Sequence, residues 1–103
     1  MVIKMTRHAA TDRLARICAI RDNIGFGSIA LQSPHDRDPN KRYCLTTTGI
    51  LLVLNKTENI LITAYLPTIV QLTAFYRSIG YANVPAPMYQ MVIQNRNKFA
   101  HLL

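Results

Sequence analysis

Residues 42–65 read RYCLTTTGILLVLNKTENILITAY, and this run determines the expected fold. Residues 42–48 are rich in Thr and Tyr, residues 50–55 are apolar except for the last, and residues 59–65 are aliphatic with Thr and Tyr. Such runs, separated by turn-forming residues, predict three strands of an antiparallel meander. Because the middle run is apolar on both faces, we expect it to be the central strand of the sheet.

Helices are predicted on both sides of this meander. An N-cap threonine and an apolar stripe predict a first helix at residues 6–21, and a short strand follows at residues 28–32. A polar loop with two prolines then occupies residues 33–41. Helical spacing of apolar residues returns at residues 68–78 and 88–103. The sequence therefore predicts an α+β fold, in which an N-terminal helix packs on a small antiparallel meander sheet and two C-terminal helices follow.

Size and charge restrict the classes of function. The chain has 103 residues, half of them hydrophobic, which suits a single domain spanning residues 1–103. Its 12 Lys and Arg against 5 Asp and Glu give a net charge of +7, which favours RNA, DNA or an acidic protein as partner. So few acidic residues disfavour a two-carboxylate enzyme or a carboxylate metal site, and we expect no cofactor and no metal.

The cysteines and the apolar segments bear on localisation. Cys18 and Cys44 form no CxxC pair, and no zinc-finger spacing is present, so we expect two free thiols in a reducing cytoplasm. The apolar stretch at residues 50–76 is interrupted by Lys56 and Pro67, so it is not expected to span a membrane.

Histidine and arginine residues are concentrated in the first predicted helix. His8 lies in its first turn, where the helix dipole disfavours the imidazolium, and a neutral His can act as a base on a ribose 2′-hydroxyl. The alternative is an ordinary surface His. The arginines of this helix suit bidentate phosphate binding, or equally form a solvated face.

The predicted strands supply further candidates. Thr46 and Thr48 project to the same side of one strand and can hold phosphate oxygens, although Thr is also favoured in strands for its shape. Tyr43 and Tyr65 can stack on bases, or pack as half-buried aromatics. The predicted nucleic-acid-binding residues are Arg7, Arg13, Arg16, Arg21, Lys41, Tyr43 and Thr48.

The order of these motifs resembles a known family. A helix with His8-Ala9 followed by Arg13, then a meander with Lys-Arg-Tyr at residues 41–43 and Ile-Thr-Ala-Tyr at residues 62–65, resembles the RelE-like small toxin ribonucleases of the barnase/EndoU/colicin/RelE group. More closely, it resembles phage and bacterial domains that open with a His-Ala-x-x-Arg helix and close with an Ile-Thr-x-Tyr strand. In this chain the second Arg comes one residue later than the commoner spacing, and the last two helices are additional.

The resemblance implies cleavage of RNA without a metal, by attack of the 2′-hydroxyl to give a cyclic phosphate. It implies that His8 is the acid or base and that Arg13, Arg16 and Arg42 hold the scissile phosphate. Thr46, Thr48 and Tyr65 would line the site, and arginines would stabilise the transition state. The implied catalytic residues are His8, Arg42, Thr46 and Tyr65.

Other classes of protein fit the same sequence. A non-enzymatic phage- or plasmid-type regulator would bind nucleic acid, or an acidic protein partner, through basic residues distributed over its surface. An enzyme needs His8, Arg42 and Thr46 within one pocket. The apolar residues of the C-terminal helices also predict contact with another chain, most simply in a symmetric homodimer, unless both helices complete the core of the monomer.

Overall fold

The computed structural model describes residues 4–5 and 14–102. Within this part, the chain forms a five-stranded sheet flanked by helices. The strands and helices are β1 (Lys4–Met5), α1 (Leu14–Asn23), β2 (Ile29–Pro34), β3 (Lys41–Thr46), β4 (Leu51–Asn55), β5 (Ile60–Tyr65), α2 (Ile69–Ser78) and α3 (Ala86–Lys98), followed by a short 3₁₀ turn at Ala100–Leu102.

The sheet contains the predicted meander. Strands β2 to β5 pair antiparallel in sequence order, and β4 lies between β3 and β5, with Val53 opposite Tyr43 on one side and Thr63 on the other. The α+β fold and the central position of the apolar strand are therefore confirmed. Strand β2 is longer than the predicted strand, because Ser33 and Pro34 also pair with β3.

A short parallel strand was not predicted. Lys4 and Met5 of β1 pair in parallel with the beginning of β5, at Ile60 and Leu61. A two-residue strand is too short to carry a periodic pattern, so the sequence gives no signal for it.

The alternation of side chains along β4 divides the core between the two faces of the sheet. Leu52 packs in one cluster with Ile17 and Ile20 of α1. Leu51 packs in the other cluster with Leu72 of α2. Each fully buried aliphatic side chain contributes about 2 kcal/mol relative to exposure, so β4 needs a helical layer on both sides.

The two C-terminal helices cover the second face of the sheet within one chain. Helix α2 begins after a capping box, in which Thr68 Oγ1 accepts from the Gln71 amide and Gln71 Oε1 accepts from the Thr68 amide. Val92 of α3 packs in the same cluster as the buried face of α2. Among the described residues the exposed large apolar side chains are Val70, Tyr81 and Tyr89. The homodimer stays a prediction.

No helix within the described ranges is both long and apolar enough to cross a membrane.

The turn between β3 and β4, residues 46–49, is a junction of hydrogen bonds that we call the threonine turn. Thr47 Oγ1 accepts from the Ser28 amide, and Thr48 Oγ1 donates to a carbonyl of the linker after α1. Asn95 of α3 donates to the Thr48 carbonyl. This end of the sheet is thus tied to both helical layers.

Gly27 of the same linker is expected to tolerate no side chain. Its φ is 61°, and a Cβ there would meet Thr47 Oγ1 inside contact distance. We expect Gly27→Ala to lower the free energy of unfolding, measured in urea, by about 2–4 kcal/mol, because backbone strain adds to loss of the Thr47–Ser28 hydrogen bond. Gly80→Ala is the matched control, since Gly80 has φ 93° and nothing within 4 Å of such a Cβ. If both variants lose the same free energy of unfolding, the contact between the new Cβ and Thr47 makes no contribution.

Candidate functional site

A groove lined by cationic side chains lies at the end of the sheet opposite the threonine turn. Its volume is about 660 Å³, and it is bordered by the loop after β2 (residues 35–40) and by the hairpin turn after β4 (residues 56–59). Asp36 also lines it. We call it the basic groove. Its cationic lining residues in the described part of the chain are Arg37, Lys41, Arg42 and Lys56.

The cations of the basic groove differ in how far they are engaged within the protein. Arg37 and Lys56 are exposed to solvent, so both side chains can approach a bound anion. Lys41 is partly covered, and its Nζ lies 3.5 Å from Asp38 Oδ2. A surface pair of this kind, which solvent still reaches, is weak, so a phosphate can compete for the Lys41 ammonium.

Arg42 holds the hairpin turn after β4. Its Nη1 donates to the carbonyls of Asn55, Lys56 and Glu58 at 2.7, 3.1 and 3.1 Å, and its Nη2 donates to Asn59 Oδ1 at 2.6 Å. These bonds satisfy turn carbonyls that the sheet leaves without partners. Arg42 therefore positions the turn and adds positive charge to the groove, while the turn occupies much of its hydrogen-bonding capacity.

The loop after β2 is organised around His35. Its Nδ1 accepts from the amides of Arg37 and Asp38 at 3.1 and 3.0 Å, which places the proton of the neutral ring on Nε2. The approach of Asp36 Oδ1 to Nδ1, 3.4 Å, is consequently not an ion pair, because Nδ1 carries no proton in this arrangement. The His35 ring also stacks on Tyr43, with ring centroids 4.8 Å apart. His35 thus gives this loop a defined shape.

A second, smaller pocket adjoins the basic groove and lies between the sheet and α2. Its volume is about 270 Å³, and it shares Ser33, Pro34 and Asp36 with the groove. We call it the tyrosine pocket. Its remaining lining residues are Tyr43, Leu51 and Tyr65 from the sheet and Gln71, Ala74, Phe75 and Ser78 from α2.

The tyrosine pocket combines neutral phenols with an ionised carboxylate. Tyr43 donates its hydroxyl hydrogen to Asp36 Oδ1 at 2.9 Å, and this bond holds the pKa of Asp36 below its usual range. The pKa of Tyr43 is raised far above its usual range. The larger cause is burial of the phenol, and the second is the same hydrogen bond to Asp36. Burial also raises the pKa of Tyr65. At neutral pH both phenols are therefore uncharged and Asp36 acts as a hydrogen-bond acceptor.

The structure does not bring Arg42 and Thr46 into one pocket. Thr46 is fully buried at the opposite end of β3, about 13 Å away along the strand. Its Oγ1 accepts from the Ile50 amide at 3.0 Å and shares a hydrogen bond with Thr48 Oγ1 at 2.9 Å. Thr46 and Thr48 are thus parts of the threonine turn, and their hydroxyls are engaged with each other, with the Ile50 amide and with the linker after α1.

The other predicted residues lie on different elements of the fold. Arg16 donates to Thr63 Oγ1 at 2.9 Å, and exposed Arg21 pairs with Asp22 at 3.1 Å near the end of α1. Neither arginine lines the basic groove or the tyrosine pocket. Lys41 and Arg42 line the groove, and Tyr43 and Tyr65 line the pocket, as already described. Arg7, His8 and Arg13 lie outside the described residues.

No sequence pattern predicted Arg37, Lys56, His35 or Asp36 as site residues. A signal was available for the two cations. In an antiparallel meander, the loops after β2 and β4 lie at the same end of the sheet. The charged side chains of both loops therefore lie near each other. The roles of His35 and Asp36 depend on side-chain contacts within one loop, which no spacing pattern reports.

The described residues also include both cysteines and several side chains of metal-ligating type. Cys18 and Cys44 are both free thiols, and burial raises the pKa of Cys44, so this thiol stays protonated at neutral pH. No group of three or more His, Cys, Asp or Glu side chains comes together in the part of the chain that the structure describes.

Comparison of this chain with protein-family models, with curated proteins and with solved structures gives no match. The resemblance to RelE-like ribonucleases therefore stays a prediction.

Removal of the Thr46 hydroxyl tests whether this residue is structural. We expect Thr46→Val to lower the free energy of unfolding by about 1–3 kcal/mol, because the buried Ile50 amide loses its acceptor while the side-chain volume is kept. Thr57→Val makes the same change at an exposed position of the hairpin turn and is expected to stay within about 0.5 kcal/mol of the parent. If Thr46→Val is as neutral as this control, the threonine turn does not depend on that hydroxyl.

Proposed function

We propose that this protein binds single-stranded RNA, with the phosphate backbone in the basic groove. The observation that carries the proposal is the convergence of cations from two separate loops on one groove, in a chain with a net charge of +7. Phosphate contacts of this kind provide sequence-independent affinity through release of counterions. The adjoining tyrosine pocket favours a single strand over a duplex, because unpaired bases are open to aromatic side chains.

Exposure decides which groove residues are assigned to phosphate contact. Arg37 and Lys56 are exposed on the two loops that border the groove, and both would contact the backbone. Arg42 supports them through the charge of its guanidinium and by fixing the turn that carries Lys56. The proposal places the protein in the cytoplasm, where Cys18 and Cys44 would remain thiols.

A pair of charge-matched double variants tests the proposed groove. Arg37→Gln with Lys56→Gln removes two positive charges from it. Arg21→Gln with Lys98→Gln removes the same charge from the α1 and α3 surfaces, whose residues do not line the groove. By fluorescence anisotropy with a labelled oligouridine, we expect the first pair to weaken binding about tenfold and to reduce the slope of log K against log salt by about 1.4, since each lost phosphate contact on a single strand contributes about 0.7. The second pair should change both quantities much less.

Two results would contradict this assignment. Equal losses in the two double variants would mean that the basic residues act as a spread surface. Binding that is independent of salt would favour an acidic protein as the partner, in a regulator that does not bind nucleic acid.

Cleavage of the bound RNA is the second candidate function. It rests on the sequence motif at His8, together with a cationic groove of the kind that stabilises the charge of a phosphoryl transition state. The proposed reaction is attack of a ribose 2′-hydroxyl on the adjacent phosphate, with a cyclic phosphate and a free 5′-hydroxyl as products.

A chelator and two histidine variants test the proposed cleavage. Labelled RNA incubated with the protein in excess EDTA should be cut at an unchanged rate. His8→Ala should abolish cleavage and leave binding intact, whereas His101→Ala, at an exposed position near the C-terminus, should leave cleavage unchanged. Activity that stops with EDTA, or that survives in His8→Ala, would overturn the metal-independent mechanism with His8.

A further inference from the structure

The tyrosine pocket is placed to receive a base whose phosphate lies in the basic groove. The two cavities share Ser33, Pro34 and Asp36 at the end of edge strand β2, so a nucleotide can extend from one into the other around that edge. The pocket, at about 270 Å³, is less than half the volume of the groove. A cavity of this size suits one base with part of its sugar.

The aromatic wall of the pocket is fixed before any ligand binds. One face of the Tyr43 ring is covered by His35, at 4.8 Å between centroids and 26° between planes. Tyr43 and the half-buried Tyr65 both border the cavity, so a base inside it can contact their rings. Base–aromatic stacking gives affinity for every base, so these rings alone do not select among bases.

Most polar groups around the pocket are already paired within the protein. The hydroxyls of Ser33 and Ser78 share a hydrogen bond of 2.6 Å, and Ser78 also donates to the Phe75 carbonyl. The Oε1 atom of Gln71 belongs to the capping box of α2. Asp36 differs from these groups. The Tyr43 hydroxyl orients its carboxylate by binding Oδ1, and Oδ2 can still accept.

An ionised carboxylate presents acceptors only, and this selects among the four bases of RNA. Guanine offers two adjacent donors on its Watson–Crick edge, N1–H and the N2 amino group. Uracil offers a single N3–H between two acceptors, and adenine and cytosine place an acceptor ring nitrogen beside their amino group. Facing a carboxylate, each of these three bases would set an acceptor against an acceptor, which costs free energy when the pair is desolvated.

We propose that the tyrosine pocket binds a guanine base of single-stranded RNA, with the Asp36 carboxylate accepting hydrogen bonds from N1–H and the N2 amino group. This inference rests on the proposed RNA binding in the basic groove and adds base selectivity to it. Asp36 contributes negative charge to a groove that binds an anion, so it weakens backbone binding while it selects the base. The two effects have opposite signs and can be measured separately.

The test compares labelled heptauridine with the same oligomer carrying guanosine, inosine or adenosine at its centre. By fluorescence anisotropy, we expect the parent protein to bind the guanosine oligomer about tenfold more tightly than the adenosine oligomer or heptauridine, with inosine intermediate because it lacks the N2 amino group. In Asp36→Asn the guanosine preference should disappear, while affinity for heptauridine should rise. Asp22→Asn removes the same charge from α1, beside Arg21, and should keep the preference.

Tyr43→Phe supplies an independent variant. It keeps the aromatic ring but removes the hydroxyl that orients Asp36, so the guanosine preference should fall without being lost. Parent protein that binds all four oligomers equally would overturn the guanine site and leave RNA binding in the groove intact. Preference retained in Asp36→Asn would overturn the role of the carboxylate. Absence of binding to any oligomer would overturn the proposed function together with this inference.

Discussion

Burial of β4 on both faces is the constraint on which the rest of the structure depends. Leu51 and Leu52 point to opposite sides of the sheet, and both are almost completely buried. A strand of this kind is stable only between two layers, so α1 must cover one face and α2 with α3 the other. With both faces covered, the ends of the sheet and its edge strand are left for contact with other molecules.

The two ends of the sheet differ in how the polar groups of their turns are hydrogen-bonded. At one end, the threonine turn directs its hydroxyls and carbonyls to the linker after α1 and to Asn95, so its polar groups are satisfied within the protein. At the other end, the Arg42 guanidinium donates hydrogen bonds to the backbone carbonyls of the hairpin turn after β4. The turn therefore becomes ordered and positively charged through the same set of bonds.

The fold was largely predictable from the sequence because its main elements carry long patterns. The apolar run at residues 50–55 identified the central strand, and the helical spacing of apolar residues at 68–78 identified α2. Pro34 was assigned to a loop, although an edge strand tolerates a proline that has no amide to offer. Strand β1 was not predictable, because a strand of two residues is too short to show a periodic pattern.

The candidate site was only partly predictable. Lys41 and Tyr43 were selected for residue type, and they do line the groove and the pocket. Thr46 was selected because it projects to the same side of a strand as Thr48 and its hydroxyl can hold a phosphate oxygen. The alternation of side chains indicates the face of the strand but not which pocket the side chain reaches. Its hydroxyl is also used by the adjacent turn, a local contact that residue type does not reveal. The part of the prediction centred on His8 falls outside the described residues.

The parallel pairing of β1 with β5 has a consequence for the order of folding. Each hairpin of the meander joins neighbouring segments, whereas Lys4 and its partner Ile60 are 56 positions apart in the chain. Closing so long a loop costs more entropy than closing a hairpin, so β1 should dock after the meander has formed. Until then the outer edge of β5 presents unpaired backbone groups at its beginning, and the nascent protein is exposed there to pairing with a second chain.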